Sequence, residues 1–280
     1  ITPFGLYEFL RMPFGLKNAA QAFQRLMDGV LQGLQCCFVY LDDVLVASTN
    51  PEQHVQDLKS VFTLLSANGL ILNRKKCVFG QPSLQFLGHL ISSAGISPLP
   101  EKVRAVAEFP QPADKQSLLR FNGMLNFYHR FLPNIAHTLQ PLTEATKGKS
   151  KDITWTSEQQ SSFEKAKSVL ASAVMLHHPH PQAETRLAVD ASDYAIGAEL
   201  AQYQGSRWIP IAFFSRKLSG AQQRYSTFDR ELQAIFSAVK HFRYYLEGRP
   251  FHILTDHKPL TYAFSSTTDR SPRQETHLSF

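Results

Sequence analysis

Apolar and polar positions in the first third of the chain switch between two periods. From Lys17 to Leu31 the apolar residues fall at Ala20, Phe23, Met27, Val30 and Leu31. This spacing lines one face of a helix, and Gly33 ends it. Cys36 to Ala47 is a near-continuous β-prone run broken only by Asp42 and Asp43. Asn50-Pro51 then suits a helix start, with Asn as N-cap, Pro in the first turn and Gln53 placed for a capping-box-like pair. Val55, Leu58, Phe62 and Leu65 predict its buried face, and Asn68-Gly69 its end. Leu70 to Phe79 and Leu84 to Ser92 read as strands, the second closed by Ser93-Ala94-Gly95.

Prolines 98, 100, 110 and 112 bracket a short helix over Glu101 to Phe109. A longer helix follows from Asp114 to Phe131, with Leu118, Phe121, Leu125 and Tyr128 on one side. Lys147 to Lys151 is a basic loop and a boundary candidate. Ser157 to Ser172 is helical, with Ser157 and Gln160 placed for a capping box. The segment His177 to Pro181 is barred from a helix by its prolines. Arg186–Ala191, Ala195–Gln202 and Trp208–Arg216 then predict three strands. A helix over Thr227 to Leu246 and a fourth strand over Pro250 to Asp256 follow.

At 280 residues and 43% hydrophobic, the chain has room for two domains with separate cores. A net charge of +6 is compatible with nucleic acid but does not require it. Cys36, Cys37 and Cys77 show no C-x-x-C spacing, which points to a reducing compartment and a cytoplasmic protein. No apolar run reaches the length of a membrane span. Both ends read as cuts in a longer chain.

Asp42 and Asp43 sit between two apolar strands, where burying adjacent carboxylates would add repulsion to desolvation. A hairpin turn facing water explains them. So does a divalent metal site, in which Mg²⁺ neutralises the pair and orients phosphate oxygens.

Tyr40-Leu41-Asp42-Asp43 resembles the Tyr-x-Asp-Asp signature of reverse transcriptases. Ile1 to Phe9, Met12-Pro13-Phe14-Gly15-Leu16 and Ala22 to Met27 resemble the preceding segment of gypsy-type long-terminal-repeat retrotransposon Pol polyproteins. Leu72 to Cys77 and Phe86 to Ile91 resemble their lysine-bearing strand and primer-grip hairpin. The resemblance implies that Asp42 and Asp43 bind two Mg²⁺ ions, with Mn²⁺ as a substitute. One ion activates the primer 3′-hydroxyl and the other steadies pyrophosphate. It places Phe14 against the incoming dNTP and Lys75 or Lys76 near its phosphates, although two adjacent lysines also fit a solvated strand end. Fingers and the first palm strand, with its third aspartate, are missing, so the fragment is expected to be incomplete for polymerisation.

A second set of acids is spread over the last hundred residues. Asp190 and Asp256 each end an apolar strand. Glu231 lies about 60° from the centre of the stripe Phe228, Leu232, Ile235, Val239, Phe242 and Leu246, at the edge of the buried face. Strand-end and first-turn acids are common for local reasons alone. Yet Val189 to Ser192, Phe213 to Leu218 and Thr255 to Leu260 resemble the RNase H domain of the same retrotransposons. That implies two-metal hydrolysis of the RNA strand of an RNA–DNA hybrid by Asp190, Glu231 and Asp256.

His177, His178 and His180 read as a connector rather than a zinc site. Asp193 and Glu199 read as hairpin acids, and Trp155 and Trp208 as packing anchors. Arg120, His129 and Arg130 fit either a backbone contact to template–primer or a solvated basic face, with Phe127 and Tyr128 packed beneath.

The expected architecture is an α+β reverse transcriptase palm remnant (1–95), a helical thumb (96–146), a connection (147–185) and an α/β RNase H-like domain with a mixed sheet (186–280). The expected partners are RNA template, DNA primer, RNA–DNA hybrid, dNTP and the protease and integrase of a polyprotein, with no membrane. A virus-like particle is the expected setting if the element is active. An inactive nucleic-acid-binding product and a polyprotein scaffold are the other readings.

Overall fold

The computed structural model describes residues 3–10, 12–13, 15–148, 150–262 and 271–280. It divides into two compact units, 1–82 and 83–280.

In the first unit, α1 (Ala19–Val30) buries Met27 and Val30. Strands β1 (Cys37–Tyr40) and β2 (Asp43–Val46) form an antiparallel hairpin in which Tyr40 pairs with Asp43. Helix α2 (Pro51–Ala67) starts as expected, its Asn50 side chain accepting the Gln53 amide at 2.8 Å. The Gln53 side chain donates to Asp57 instead of closing a capping box. The buried face is also rotated from expectation. Val61 and Leu65 pack with Met27, Val30 and Leu31, while Val55 and Phe62 are exposed.

The strand expected over Leu70 to Phe79 does not form. Asn73 accepts the Lys75 amide at 3.1 Å and bends the backbone into a 3₁₀ turn over Arg74–Lys76. A local side-chain bond thus overrides the β-prone sequence around it.

The second unit begins with the antiparallel sheet β3 (Ser83–Phe86), β4 (His89–Ser92) and β5 (Gly95–Pro98). The single strand read over Leu84 to Ser92 is a hairpin, turned at Leu87 and Gly88, both with positive φ. Leu176 adds a bridge to Ile96, and a Cβ at Gly95 would overlap the Leu176 carbonyl.

A helical layer follows, comprising α3 (Pro100–Ala107), α4 (Lys115–Phe127), α5 (Ile135–Thr138), α6 (Gln140–Ala145) and α7 (Ser157–Ala171). Its core is Leu118, Phe121, Leu125, Phe131, Leu142 and Phe163. The capping box on α7 is present one residue early, at Thr156 and Gln159. Tyr128 is buried and donates to the Gly88 carbonyl at 2.9 Å, whereas Phe127 is half exposed.

The second sheet runs β8-β7-β6-β9, from β6 (Thr185–Ala191), β7 (Ala195–Gln204), β8 (Arg207–Lys217) and β9 (His252–Leu254). Only the β6–β9 pair is parallel, which makes it the expected mixed sheet. Leu187, Val189, Ile196, Ala198 and Leu200 face α8 (Thr227–His241), which buries Leu232, Ile235 and Ala238 on them. Each Leu, Ile or Val among these contributes about 1.5–3 kcal/mol of transfer free energy. The helix expected to run unbroken to Leu246 stops at Phe242 (φ −92°, ψ 12°). It resumes as α9 (Arg243–Leu246), which keeps both Phe242 and Leu246 in the same core. Two short helices complete the order, α10 (Lys258–Thr261) and α11 (Pro272–Leu278).

The helical layer is tied to this sheet. Ala136 donates its amide to Ser215 Oγ at 3.0 Å, and Lys217 pairs with Glu144.

Candidate active site

The hairpin in the first unit places Asp42 in the two-residue turn and Asp43 at the first position of β2, both exposed. The turn is held from outside. Leu41 takes a left-handed backbone (φ 49°), unfavourable for a branched side chain. Its amide donates to Gln24 Oε1 at 2.7 Å, while Gln24 Nε2 donates to Val39 O at 3.1 Å and Asp28 Oδ1 at 2.8 Å. Gln24, half-buried at the edge of the apolar face of α1, therefore fixes the turn that carries Asp42, a role that local pattern did not announce. The turn explanation and the metal explanation describe the same geometry: a turn solvates the pair and presents it. Lys75 and Lys76 lie exposed in the 3₁₀ turn, and Phe14 lies outside the described residues.

In the second unit three acids converge on the C-terminal edge of the sheet. The parallel register aligns Arg186 with His252, Leu187 with Ile253 and Ala188 with Leu254. Carried two residues further, it sets Asp190 beside Asp256. Both are exposed. Glu231 approaches from α8 and is only 4% exposed. Burial, then the charges of Asp256 and Asp190, push its carboxyl up to about 7, against the pull of the Ala191 amide, which its carboxylate accepts. Its Oε2 is buried without a partner. Asp193, next to this cluster, binds Arg230 at 2.8 Å and so anchors the start of α8, a firmer role than hairpin solvation. Glu199 pairs likewise with Arg186 at 3.5 Å.

Among the described residues no three His, Cys, Asp or Glu side chains stand at metal-ligating separation. The chemistry of the set nevertheless fits a hard divalent ion. It is all oxygen, mutually repelling, and includes one buried orphan atom that a cation would satisfy. At the Asp42-Asp43 turn only exposed carboxylates are available and no orphan atom points to a ligand.

The other residues considered fall into packing roles. Trp155 Nε1 donates to Pro112 O at 2.8 Å, and Trp208 stacks under Arg186. Each histidine of the 177–181 connector is tied to its surroundings: the His177 amide donates to Pro210 O, His178 Nε2 bonds Ser92 O, and the His180 amide donates to Gln202 Oε1.

Residues 2–91 match the family described as reverse transcriptase (RNA-dependent DNA polymerase), and residues 155–253 match the RNase H-like domain found in reverse transcriptase. The second match takes in α7 as well as the second sheet. The retrovirus-related Pol polyprotein from transposon 297 of Drosophila melanogaster is 40% identical over 263 residues, covering 93% of this chain and 24% of that protein. The transposon Tf2-3 polyprotein of Schizosaccharomyces pombe is 36% identical over 265 residues, covering 92% of this chain and 20% of its own length. The chain thus spans about a quarter or less of these relatives. Among solved structures, a foamy viral protease-reverse transcriptase in complex with RNA/DNA hybrid covers 96% of this chain and 37% of its own. It superposes with a TM-score of 0.78 at 23% identity. A form in complex with double-stranded DNA reaches 0.80 over 96% of this chain and 48% of its own, also at 23% identity.

Proposed function

Since the chain belongs to the reverse transcriptase and RNase H region of retrovirus-related transposon Pol polyproteins, we propose that its second unit hydrolyses the RNA strand of an RNA–DNA hybrid at Asp190, Glu231 and Asp256. The first unit would carry the catalytic turn of the RNA-directed DNA polymerase that makes such a hybrid. Domains of these families depend in general on divalent metal; Mg²⁺, with Mn²⁺ able to replace it, is the ion proposed here. When bound, it supplies charge neutralisation at the scissile phosphate and a more acidic water.

The observation that carries the proposal is Glu231. A nearly buried carboxylate with an unpartnered oxygen beside two further acids is costly for a fold to keep without a cation. Asp190, within β6, and Asp256, two residues past the end of the parallel strand β9, would hold metal at the C-terminal edge of the sheet. Glu231 would be held against them by α8, oriented by the Ala191 amide. Without a cation its raised pKa keeps a proton on the carboxyl through the lower part of the neutral range. Asp42 and Asp43 would act at the polymerase centre on the turn fixed by Gln24. Phe14 and Lys75 or Lys76 are proposed contacts for dNTP, and protease and integrase are proposed neighbours in the polyprotein.

The test is cleavage of a hybrid labelled on its RNA strand, with an all-DNA duplex as control. The expected result is Mg²⁺- or Mn²⁺-dependent cutting of the RNA strand only, abolished in Asp256→Asn. An intact RNA strand in both metals would overturn the proposal.

A further inference from the structure

One side chain from the helical layer reaches the face of the sheet that carries Asp190. In the β6–β7 register Asp190 pairs with Gly197, and in the β7–β8 register Gly197 pairs with Ser215. Paired residues of neighbouring strands point to the same face. Asp190, Gly197 and Ser215 therefore form one row across the sheet, on the side opposite Leu187, Val189 and α8.

Asn134 lies on this row. A Cβ at Gly197 would overlap Asn134 Oδ1, so the carboxamide occupies the place where a side chain of β7 would stand. Its position is fixed on both sides. Asn134 has a left-handed backbone (φ 50°), a region that Asn tolerates better than most residues. Two residues on, the Ala136 amide is bonded to Ser215 Oγ. Because directly opposed residues have Cβ atoms about 5 Å apart, Asn134 Oδ1 stands within about 7 Å of the Asp190 Cβ. The residue is exposed and its side chain caps no amide of α5. An amide is thus held, uncommitted, one residue's width from an acid of the site.

From this placement we infer that Asn134 contacts the ribose 2′-hydroxyl of the RNA strand beside the phosphate held at Asp190, and so helps the site tell RNA from DNA. The inference rests on the hydrolytic function proposed above. A carboxamide donates and accepts at once, as a 2′-hydroxyl does. It is neutral, so it neither neutralises Asp190, as a cation would, nor adds to the repulsion among the acids.

The experiment is fluorescence anisotropy with the whole chain in Ca²⁺, comparing an RNA–DNA hybrid with a DNA duplex of the same sequence. Two variants are used. Asn134→Gly keeps the left-handed backbone and removes the amide. Asn134→Asp keeps the shape and removes the donor. The expected result is hybrid affinity lowered roughly two- to tenfold in both, one hydrogen bond's worth, with duplex affinity unchanged for Asn134→Gly. If Asn134→Gly unfolds, Asn134→Asp decides, read as the ratio of hybrid to duplex affinity so that its added charge cancels. A wild-type preference for the hybrid that survives in the folded variants would make Asn134 a spacer over Gly197 and overturn the inference. A wild-type chain that binds hybrid and duplex alike would also overturn the inference, since no 2′-hydroxyl would then be read in binding, whereas the hydrolytic reading stands or falls on the cleavage of the RNA strand.

Discussion

Replacing Glu231 with Gln should stabilise the second unit at alkaline pH and leave it unchanged at acid pH. The Glu231 carboxyl is raised from 4.5 to about 7 in the folded chain by burial and by the charges of Asp256 and Asp190. Between those values the folded state retains a proton that the unfolded state has released. Stability therefore falls as pH rises through this window; the penalty is absent below the lower value and complete above the upper one. A rise of about 2.5 units corresponds to roughly 3 kcal/mol. Gln stays neutral, can still accept the Ala191 amide, and offers an N–H where Oε2 now lacks a partner. Both tryptophans, Trp155 and Trp208, lie in the 83–280 unit, so their emission follows that unit alone. For a unit of this size about 3 kcal/mol is roughly 6–12 °C in Tm. Thermal unfolding in EDTA from pH 4.5 to 8.5 should show the variant gaining most of that difference by pH 8 and none at pH 4.5. A pH-independent difference, or a variant less stable at pH 8, would refute the reasoning.

The hairpin turn in the first unit offers a second check. Gln24→Ala removes the acceptor of the Leu41 amide and should raise hydrogen exchange at that amide roughly tenfold, while Gln24→Glu, which keeps an acceptor oxygen, should not. Equal exchange in both would dismiss the clamp. Nucleic-acid binding should be electrostatic, given the net charge of +6, so affinity for an RNA–DNA hybrid should fall steeply between 50 and about 200 mM salt. A flat response would favour the polyprotein-scaffold reading.

The elements that local pattern governs were legible from sequence. α1, the hairpin around Asp42, the start of α2 and three strands of the second sheet follow from period, turn residues and caps, whereas the mixed character of that sheet was what the resemblance to RNase H implied. Glu231 at the edge of its stripe was legible for the same reason, since a helix's geometry fixes which face each residue occupies. The failures share a cause. Asn73 turns a β-prone stretch through its own side chain, and Phe62 is exposed because packing chose Val61, which periodicity ranks no lower. Gln24 and Asn134 could not be found by pattern, because each acts across space on a backbone or strand far away in sequence. The signal for Asn134 is Gly197, a glycine inside a strand, which often marks a close approach.

The central claim is that Asp190, Glu231 and Asp256 share divalent metal, and Mn²⁺ titration of the whole chain and of Asp190→Asn tests it most directly. Removing one acid weakens the site while easing its repulsion, so the variant should bind Mn²⁺ at least tenfold more weakly with its thermal unfolding unchanged or slightly raised. Equal Mn²⁺ affinity in the two proteins would contradict the claim and return the three carboxylates to ordinary strand-end and helix-edge acids.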